Sequence, residues 1–233
     1  MMRLDKMLSH LGYGSRKEVK EFIRKGFVLV NGEVITNDDF KVDEINDEVV
    51  IANETINYES NIYLMLNKPD GYISATFDNY DPIVLDLIDG YEKMGLFPVG
   101  RLDKDTVGLL LITNDGKLAH KLLSPKSHVD KTYYLKYDGK LPTNYQKLFS
   151  NGIVLDDGYK CMSASFFYLG NGCGNIVIKE GKYHQVKRMM QALGCEVTYL
   201  KRINFGPISL DNSLKEGEYR HLTEEEVKVL KNA

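Results

Sequence analysis

The sequence predicts an α+β fold, in which a small unit of two helices and a β-hairpin precedes a larger unit built on a mainly antiparallel mixed sheet. Three observations predict it. Apolar segments with the character of strands outnumber those with helical spacing. Strands and helices do not alternate regularly, as they would in a parallel βαβ sheet. The 233 residues suit either one large domain or a small one followed by a medium one.

Two helices are predicted near the N-terminus. The first rests on apolar residues at helical spacing, namely Leu4, Met7, Leu8 and Leu11. The sequence GYGS then interrupts the pattern, and Ser15 is a typical N-cap for the second helix. We expect that helix to end at Gly26. One of its faces is apolar and comprises Val19, Phe22 and Ile23.

A β-hairpin is predicted next. The sequence FVLVNGEVI places two short apolar runs around Asn31-Gly32, a dipeptide that strongly favours a two-residue hairpin turn. DEVVI at residues 47–51 supplies another strand, and residues 53–61 are polar and irregular, as is typical of a linker. We therefore expect an N-terminal domain at residues 1–52, a linker at 53–61 and a second domain at 62–233.

The second domain is predicted to be rich in strands. GLLLIT lacks alternation, so we expect cover on both of its faces. The other predicted strands have the sequences IYLMLNKP, KTYYLKY, NIVIKEG and EVTYLKRINFG. Two helices are predicted, KLAHKLLSP, which Pro125 ends, and YHQVKRMMQALG, which Gly194 ends.

The composition is that of an ordinary globular protein, with 43% hydrophobic and 27% charged residues. No apolar run approaches the roughly 20 residues that cross a bilayer, and the charged N-terminus lacks the core of a signal peptide. We therefore expect a cytoplasmic protein. The three cysteines form no C-x-x-C motif, and the five histidines show no metal-ligand spacing. Neither a disulfide framework nor a metal site is predicted.

The charge distribution is uneven although the net charge is only −3. Residues 1–30 hold seven Lys or Arg and three Asp or Glu, and residues 181–202 hold five and one. Residues 31–60 hold one Lys and nine Asp or Glu. The two basic segments are compatible with ordinary surface charge or with contacts to nucleic-acid phosphates.

One carboxylate, Asp103, stands just before a predicted buried strand in GRLDKDTVGLLLITNDG, residues 100–116. Such a side chain can be a general base, a nucleophile, a metal ligand or a structural cap. The sequence contains no G-x-S-x-G, G-x-x-x-x-G-K or G-x-G-x-x-G motif, so acyl transfer and nucleotide cofactors are not indicated. The residues alone leave the role of Asp103 open.

The N-terminal segment RLDKMLSHLGYGSRKEVKEFIRKGFVLVNGEVI resembles the RNA-binding domain shared with ribosomal protein S4. Helix, turn, basic helix and Asn-Gly hairpin occur in the order of that family. Basic side chains here suit contacts to RNA phosphates, where they displace condensed counterions. The expected contacts are Arg3, Arg16, Lys17, Lys20 and Arg24.

The stretch around Asp103 resembles the catalytic motif of pseudouridine synthases of the small-subunit rRNA type, the RsuA family. Four further stretches follow the order of that family: LNKPDGY, KTYYLKYDG, EGKYHQVKRM and LKEGEYRHLTEEE. The resemblance implies an isomerisation that joins carbon-5 of a uracil to the ribose from which N1 has been released. Such a reaction requires no redox cofactor, ATP or metal, so no cofactor is expected.

The resemblance also implies roles for single residues. Asp103 carries the central step, either attacking the anomeric carbon or removing the 2′ proton. Lys187 pairs with it, and Tyr133 stacks on the flipped uracil or helps to remove the carbon-5 proton. Arg101 holds the nucleotide out of the RNA stack. Lys68 is expected to support the cleft or bind phosphate. Further RNA contacts are expected from His184, Gln185 and Arg188.

The implied substrate is uridine-516 of 16S rRNA, in the numbering of that RNA, either free or in a small-subunit assembly intermediate. A lysine at position 187 favours this target, because large-subunit relatives usually carry arginine there. The alternatives are a 23S rRNA enzyme of the same family and a non-catalytic RNA-binding assembly factor. A metal-dependent sugar or phosphate enzyme is a third, more remote alternative. We expect a monomer with no membrane partner.

Overall fold

The computed structural model describes residues 1–44, 46–56, 61–91, 94–124 and 127–233. The chain divides into two compact units. The N-terminal unit comprises Met1–Asn61 and Gly90–Gly95, and the C-terminal unit comprises Ile62–Asp89 and Leu96–Ala233. Among the described residues, no helix is long and apolar enough to span a membrane.

The N-terminal unit combines two helices with two small sheets. Its helices are α1 (Leu4–His10) and α2 (Arg16–Arg24). Its strands are β1 (Met2–Arg3), β2 (Val28–Val30), β3 (Glu33–Ile35), β4 (Lys41–Val42), β5 (Val49–Ile51) and β6 (Glu54–Ile56). Strand β1 pairs with β4, and the other four strands form an antiparallel sheet in the order β3-β2-β5-β6.

Helix α2 begins at a capping box, which confirms Ser15 as its N-cap. The Ser15 hydroxyl accepts from the Glu18 backbone N–H at 3.4 Å, and the Glu18 carboxylate accepts from the Ser15 N–H at 2.8 Å. Val19 and Ile23 are buried in the core of this unit, as predicted. Phe22 was expected on the same face but is 48% exposed. Its ring lies 5.7 Å from that of Phe27 at the surface, because Val19 and Ile23 already occupy the core-facing stripe.

The predicted hairpin is confirmed, and the predicted linker is partly wrong. Strands β2 and β3 pair around Asn31-Gly32, whose φ angles of 52° and 82° are those of a type I′ turn. The proposed linker 53–61 begins inside the sheet, since Glu54–Ile56 pairs with β5 through a second turn at Ala52-Asn53. Residues 57–60 lie outside the described residues.

The C-terminal unit is built on one large sheet. Its strands are β7 (Tyr63–Lys68), β8 (Phe97–Pro98), β9 (Val107–Thr113), β10 (Lys131–Asp138), β11 (Ser165–Gly170), β12 (Cys173–Ile178), β13 (Glu196–Phe205), β14 (Ile208–Ser209) and β15 (Tyr219–His221). Its helices are α3 (Gly116–Leu123), α4 (Tyr145–Asn151), α5 (Gln185–Ala192) and α6 (Glu224–Asn232), with a 3₁₀ turn at Val84–Leu87.

The large sheet is mixed but mostly antiparallel, which confirms the predicted α+β class. Its order is β11-β12-β10-β13-β9-β7-β15, with β14 beside β13 and β8 beside β9. Strand β9 pairs in parallel with β13, and the other pairs described are antiparallel. All seven residues of β9 are buried, so the expected cover on both faces is confirmed.

Gly108 allows β9 and β13 to approach each other. It has a φ of 98°, and a Cβ atom built on it would lie 2.4 Å from the carbonyl oxygen of Arg202 in β13. Only glycine therefore fits at the parallel pairing that brings Arg202 beside Gly108. This pairing fixes the start of β9, and with it the loop of residues 101–106 that precedes the strand.

Candidate active site

The loop of residues 101–106 is held from two sides. The buried hydroxyl of Ser74 donates to the Leu102 carbonyl at 3.1 Å and accepts from the Leu102 N–H at 3.0 Å. A turn follows, in which the Thr106 N–H donates to the Asp103 carbonyl at 3.1 Å. The segment that carries Asp103 is therefore a fixed turn, not an extended strand.

Lys68 supports this loop from inside the protein. It is fully buried, and its ammonium donates to the carbonyl oxygens of Pro69, Lys104 and Thr106 at 3.0, 2.9 and 2.9 Å. Burial lowers the pKa of Lys68 to about 8. The expectation that Lys68 binds an RNA phosphate is wrong, because its three N–H groups are already used on the backbone. Its other expected role, support of the cleft, agrees with these contacts.

The Asp103 carboxylate lies near two cationic or potentially cationic groups at the start of α5. Lys187 Nζ is 3.5 Å from Asp103 Oδ2, and His184 Nε2 is 3.7 Å from Oδ1. His184 and Lys187 are three residues apart, one helical turn, so their side chains reach the same place. His184 precedes the helix in a left-handed conformation with φ 48°. Both side chains are therefore close enough to orient the carboxylate.

Asp105 is a second partner of Lys187 that the sequence interpretation missed. Lys187 Nζ is 2.5 Å from Asp105 Oδ1, closer than it is to Asp103. Burial alone would raise the pKa of Asp105, but the hydrogen bond and the charge of Lys187 lower it below its ordinary value. The D-x-D spacing in LDKD was a usable signal, because a turn can present both carboxylates to one lysine.

A narrow cleft of about 60 Å³ opens at Asp103. Its walls include Arg101, Thr106, Tyr133 and His184. Tyr133 is buried. The hydroxyl of Thr106 is buried and has no hydrogen-bond partner among the residues that the structure describes. The cleft therefore brings together an acid, a phenol and an unsatisfied hydroxyl group.

The two tyrosines of the KTYY segment have different surroundings. Tyr133 lines the cleft, whereas the Tyr134 hydroxyl contacts Cys173 Sγ at 3.3 Å and its ring meets that of Tyr199 edge-on. Successive residues of a strand point to opposite faces of the sheet. The register of β10 thus selects Tyr133 for the cleft.

Two of the expected RNA contacts are committed to the protein instead. The buried Gln185 amide donates to Glu180 Oε1 at 2.9 Å and accepts from the Lys182 N–H at 2.9 Å. Arg188 pairs with Asp156 and Asp157 at 2.5 and 2.7 Å. The expectation of RNA contact is therefore wrong for Gln185, which braces the loop before α5, and Arg188 has its charge neutralised within the protein.

In the N-terminal unit, three predicted RNA contacts surround the fully buried Asp5. Its carboxylate accepts from Arg3 Nε at 3.0 Å and from Arg16 Nη2 at 3.3 Å, and Lys20 Nζ is 3.9 Å away. Burial alone would raise the pKa of Asp5, but the hydrogen bonds from Arg3 and Arg16 lower it below its ordinary value. These cations therefore stabilise the unit, whatever their contacts to RNA.

The remaining predicted cations of this unit differ in their pairing. Arg24 pairs with Asp38 at 2.6 Å, and Arg3 also pairs with Asp39. Lys17 is exposed and has no ion pair or hydrogen bond within the described part of the chain. Exposed ion pairs are worth little in free energy, so RNA phosphates can compete for such cations. Contact of this surface with RNA stays a prediction.

The described residues contain no group of three or more His, Cys, Asp or Glu side chains arranged to hold a metal ion. The chemistry that the cleft itself offers is that of a carboxylate kept near a lysine, at the mouth of a pocket walled by a buried phenol. This arrangement suits attack on, or proton removal from, a bound ring system.

Two family models match the sequence. "RNA pseudouridylate synthase" matches residues 62–192, and "S4 domain" matches residues 2–49. The first model covers more than half of the chain and includes Arg101, Asp103, Thr106, Tyr133 and His184 of the cleft.

Relatives match the chain over nearly its whole length. An uncharacterised RNA pseudouridine synthase of Bacillus subtilis is 47% identical, with 98% of each chain covered. The ribosomal small subunit pseudouridine synthase A of Haemophilus influenzae is 38% identical over 98% of this chain and 99% of the relative. The ribosomal large subunit pseudouridine synthase B of Bacillus subtilis is also 38% identical, over 99% and 96%.

A solved structure described as that of a pseudouridylate synthase has the same fold. It aligns with a TM-score of 0.70 and 36% identity, covering 99% of this chain and all of the other.

Proposed function

This chain belongs to the RNA pseudouridylate synthase family, in the RsuA group, and on that premise we propose that it converts uridine-516 of 16S ribosomal RNA to pseudouridine. A pseudouridine synthase isomerises a uridine within an RNA chain. Beyond family membership, we propose that the RNA is ribosomal and that this uridine is the target. We further propose that the enzyme acts as a monomer in the cytoplasm, on free rRNA or on a small-subunit assembly intermediate.

The choice of the small-subunit target has specific support. A relative named for the small ribosomal subunit aligns end to end, and position 187 is lysine. The alternative target is 23S rRNA, since a relative named for the large subunit is equally identical. Identity alone therefore does not discriminate between the two RNAs.

The observation that carries the mechanism is the position of the Asp103 carboxylate, in a cleft and 3.5 Å from Lys187 Nζ. In the reaction the bond from C1′ to N1 breaks, a bond from C1′ to carbon-5 forms, the carbon-5 proton leaves and N1 gains a proton. Asp103 either attacks C1′ or removes the 2′ proton to give a glycal. Lys187 lies close enough to orient the carboxylate for either route.

Tyr133 and Arg101 are proposed to handle the base. Tyr133 is buried in the cleft wall, where its ring can stack on an extruded uracil and its hydroxyl can accept or relay the carbon-5 proton. Arg101 is exposed at the cleft mouth and has no ion pair or hydrogen bond within the described residues. Its guanidinium is therefore free to stack in the gap that the flipped nucleotide leaves, which offsets part of the cost of flipping.

Substitution of Asp103 tests the chemistry. Asp103→Asn should lower kcat by at least about 1,000-fold, because the amide can neither attack carbon nor accept a proton. The measurement is release of tritium from 5-tritiated uridine in a 16S rRNA transcript. Asp105→Asn is the matched comparison, since it removes the other carboxylate on Lys187. Because Asp103 remains, it should lower kcat far less than Asp103→Asn does. An Asp103→Asn protein with near-normal turnover would disprove the assignment and favour another catalytic group.

Chemical mapping of pseudouridine in cells lacking this protein tests the target. The proposal predicts loss of pseudouridine at uridine-516 of 16S rRNA alone, with restoration by the wild-type protein and not by Asp103→Asn. Loss at a 23S rRNA position would instead assign the large-subunit target. An unchanged map would favour the non-catalytic alternative, an RNA-binding assembly factor.

A further inference from the structure

A second, larger cavity adjoins the cleft in the C-terminal unit. It has a volume of about 510 Å³ and shares Arg101, Tyr133 and Lys182 with the cleft as lining residues. Two further cationic residues, Lys131 and Arg202, line it deep in the sheet. Neither contributes to the chemistry described above.

Arg202 lines this cavity, and one donor of its guanidinium is unpaired among the described residues. The residue is only 2% exposed, and its Nε donates to the Leu109 carbonyl at 2.7 Å. Its Nη2 is buried and has no hydrogen-bond partner among the described residues. A buried guanidinium donor without a partner is costly, so such groups usually meet an acceptor. The cavity beside it is the place where an acceptor can arrive.

Lys131 adds a second positive charge at the same place. Its Nζ donates to the Val129 carbonyl at 2.8 Å and has no second hydrogen-bond acceptor among the described residues, although an ammonium has three N–H donors. Lys131 Nζ and Arg202 Cζ lie 5.5 and 5.2 Å from the centroid of the Phe205 ring. Burial, and then the nearby charge of Arg202, lower the pKa of Lys131 to about 8. Lys131 and Arg202 thus lie near the same ring and repel each other, and an anion bound by both would stabilise them.

Among the described residues, no carboxylate forms an ion pair with Lys131 or Arg202, although the charges of Asp130 and Glu180 act on Lys131 at longer range. The carboxylate of Glu180 accepts from the Tyr159 hydroxyl and the Met162 N–H, both at 2.7 Å, and from the Gln185 amide. Its oxygens are thus bound to other groups. Lys179 and Lys182 add further positive charge at the exposed rim.

We propose that the cavity between Lys131 and Arg202 binds one backbone phosphate of the RNA strand that carries the target uridine. A phosphate group matches the site because a guanidinium and an ammonium can each donate to a different oxygen. The cavity and the cleft share wall residues. A nucleotide next to the target uridine can therefore place its phosphate in the cavity. The inference rests on the proposed function for the identity of the anion as RNA, but not for the anion site itself.

Inorganic phosphate tests the site without RNA. The full chain, labelled with ¹⁵N, is titrated with inorganic phosphate while the arginine Nε–H signals are followed by NMR. The Arg202 signal, assigned by its loss in Arg202→Lys, should shift with saturation at millimolar phosphate. Lys131→Gln should weaken the apparent affinity about ten-fold, because it removes a charge-assisted hydrogen bond. Lys131→Arg should restore it, and Lys140→Gln, an exposed charge change elsewhere, should have no effect.

A nine-nucleotide oligouridylate tests whether RNA is the source of the phosphate. It should displace inorganic phosphate from wild-type protein. The logarithm of the association constant decreases with the logarithm of the salt concentration. This dependence should be shallower by about 0.7 in Lys131→Gln, the value for one lost single-strand phosphate contact, and unchanged in Lys140→Gln.

An Arg202 signal that does not respond to phosphate, or that responds equally in Lys131→Gln, overturns the anion site. Phosphate binding that the oligouridylate does not displace overturns its use by RNA. Neither measurement depends on pseudouridine formation. Both the phosphate titration and the oligouridylate competition can therefore be interpreted even if the activity of Asp103→Asn contradicts the proposed function.

Discussion

The ammonium of Lys68 donates hydrogen bonds to three carbonyl oxygens, those of Pro69, Lys104 and Thr106. The last two belong to the loop that carries Asp103. The motif around Asp103 and its expected partners, Lys187 and Tyr133, can be identified from the sequence. The supporting role of Lys68 cannot be identified in this way, because a lysine in the sequence NKP is equally compatible with a phosphate ligand. Its complete burial is visible only in the structure. The same holds for Gln185, whose hydrogen-bond partners come from another turn.

Replacement of Lys68 by methionine should reduce turnover rather than RNA binding. Lys68→Met removes the three hydrogen bonds and lets Asp103 move, and displacement by about 1 Å can cost on the order of 100-fold in rate. We expect kcat to fall by about ten- to 100-fold, while the Kd for a 16S rRNA fragment stays unchanged. Both are measured by single-turnover kinetics and filter binding.

Lys104→Met is the control, since the Lys104 side chain is exposed in the same loop and, among the described residues, forms its one ion pair with Asp81. It should leave kcat nearly unchanged. A Lys68→Met protein with weakened RNA binding and normal kcat would contradict the positioning role and restore the phosphate-ligand interpretation.

The buried Asp5 predicts a specific dependence of stability on pH. Its folded-state pKa is below the ordinary value of 3.8. Its contribution is therefore present above about pH 4 and is lost as the pH falls through the lower folded-state pKa. Asp5→Asn should lower the free energy of unfolding by about 1–3 kcal/mol at pH 7, as expected for hydrogen bonds to a charged group.

In urea unfolding followed by circular dichroism, this difference should be undiminished at pH 5 and should shrink as the pH falls to 4 and then to 3. Asp138→Asn, at an exposed position, should change the free energy by less than about 0.5 kcal/mol at every pH. A difference between Asp5→Asn and wild type that does not vary with pH would show that the ion pairs contribute nothing.

At the scale of elements, strand β9 and helix α5 together build the cleft. The sequence predicted both, because an unbroken apolar run and a 3.6-residue period are local signals. It did not predict α4 or α6, although Thr223 and Glu226 form a capping box that is readable as T-x-x-E. The parallel pairing of β9 with β13 was also out of reach, since it joins segments about 90 residues apart and depends on a backbone contact at Gly108.

Gly108→Ala tests that contact. The added methyl group would meet the Arg202 carbonyl oxygen at 2.4 Å in a backbone conformation that alanine rarely adopts. We expect a loss of about 2–4 kcal/mol in the free energy of unfolding, the range for overpacking combined with backbone strain. Gly116→Ala is the control, because nothing lies within 4 Å of its added Cβ and its φ is ordinary. Differential scanning calorimetry compares the two, and equal Tm values would refute the close-approach argument.

At the scale of the whole molecule, an N-terminal unit with an S4 domain precedes a unit that holds the cleft, and the positive charge of the N-terminal unit is concentrated in residues 1–30. The N-terminal unit was predicted from helix spacing, one N-cap and one Asn-Gly turn. Its acidic residues at positions 38 and 39, which follow the hairpin, proved to be ion-pair partners of the basic residues. Charge counted along the chain therefore overstates the free positive charge of this unit.

We predict that Lys17 and Lys25, which are exposed and form no ion pair among the described residues, contribute to RNA affinity and not to the chemical step. Lys17→Gln combined with Lys25→Gln should make the slope of log K against log salt shallower by about 1.4, at about 0.7 for each lost single-strand phosphate contact. The rate at saturating RNA should not change. Lys140→Gln combined with Lys147→Gln, two exposed lysines of the C-terminal unit, serves as the control. Equal slopes for both pairs would show that the N-terminal unit makes no special contact.

Lys187 serves two carboxylates, and this arrangement has a consequence for repeated turnover. In either proposed route Asp103 gives up its negative charge once per cycle, by bonding to carbon or by taking a proton. If Asp103 were its only acidic neighbour, Lys187 would then have no counter-charge in the cleft. Because Asp105 lies 2.5 Å away, Lys187 keeps a counter-charge throughout, and the site needs little rearrangement between one substrate and the next.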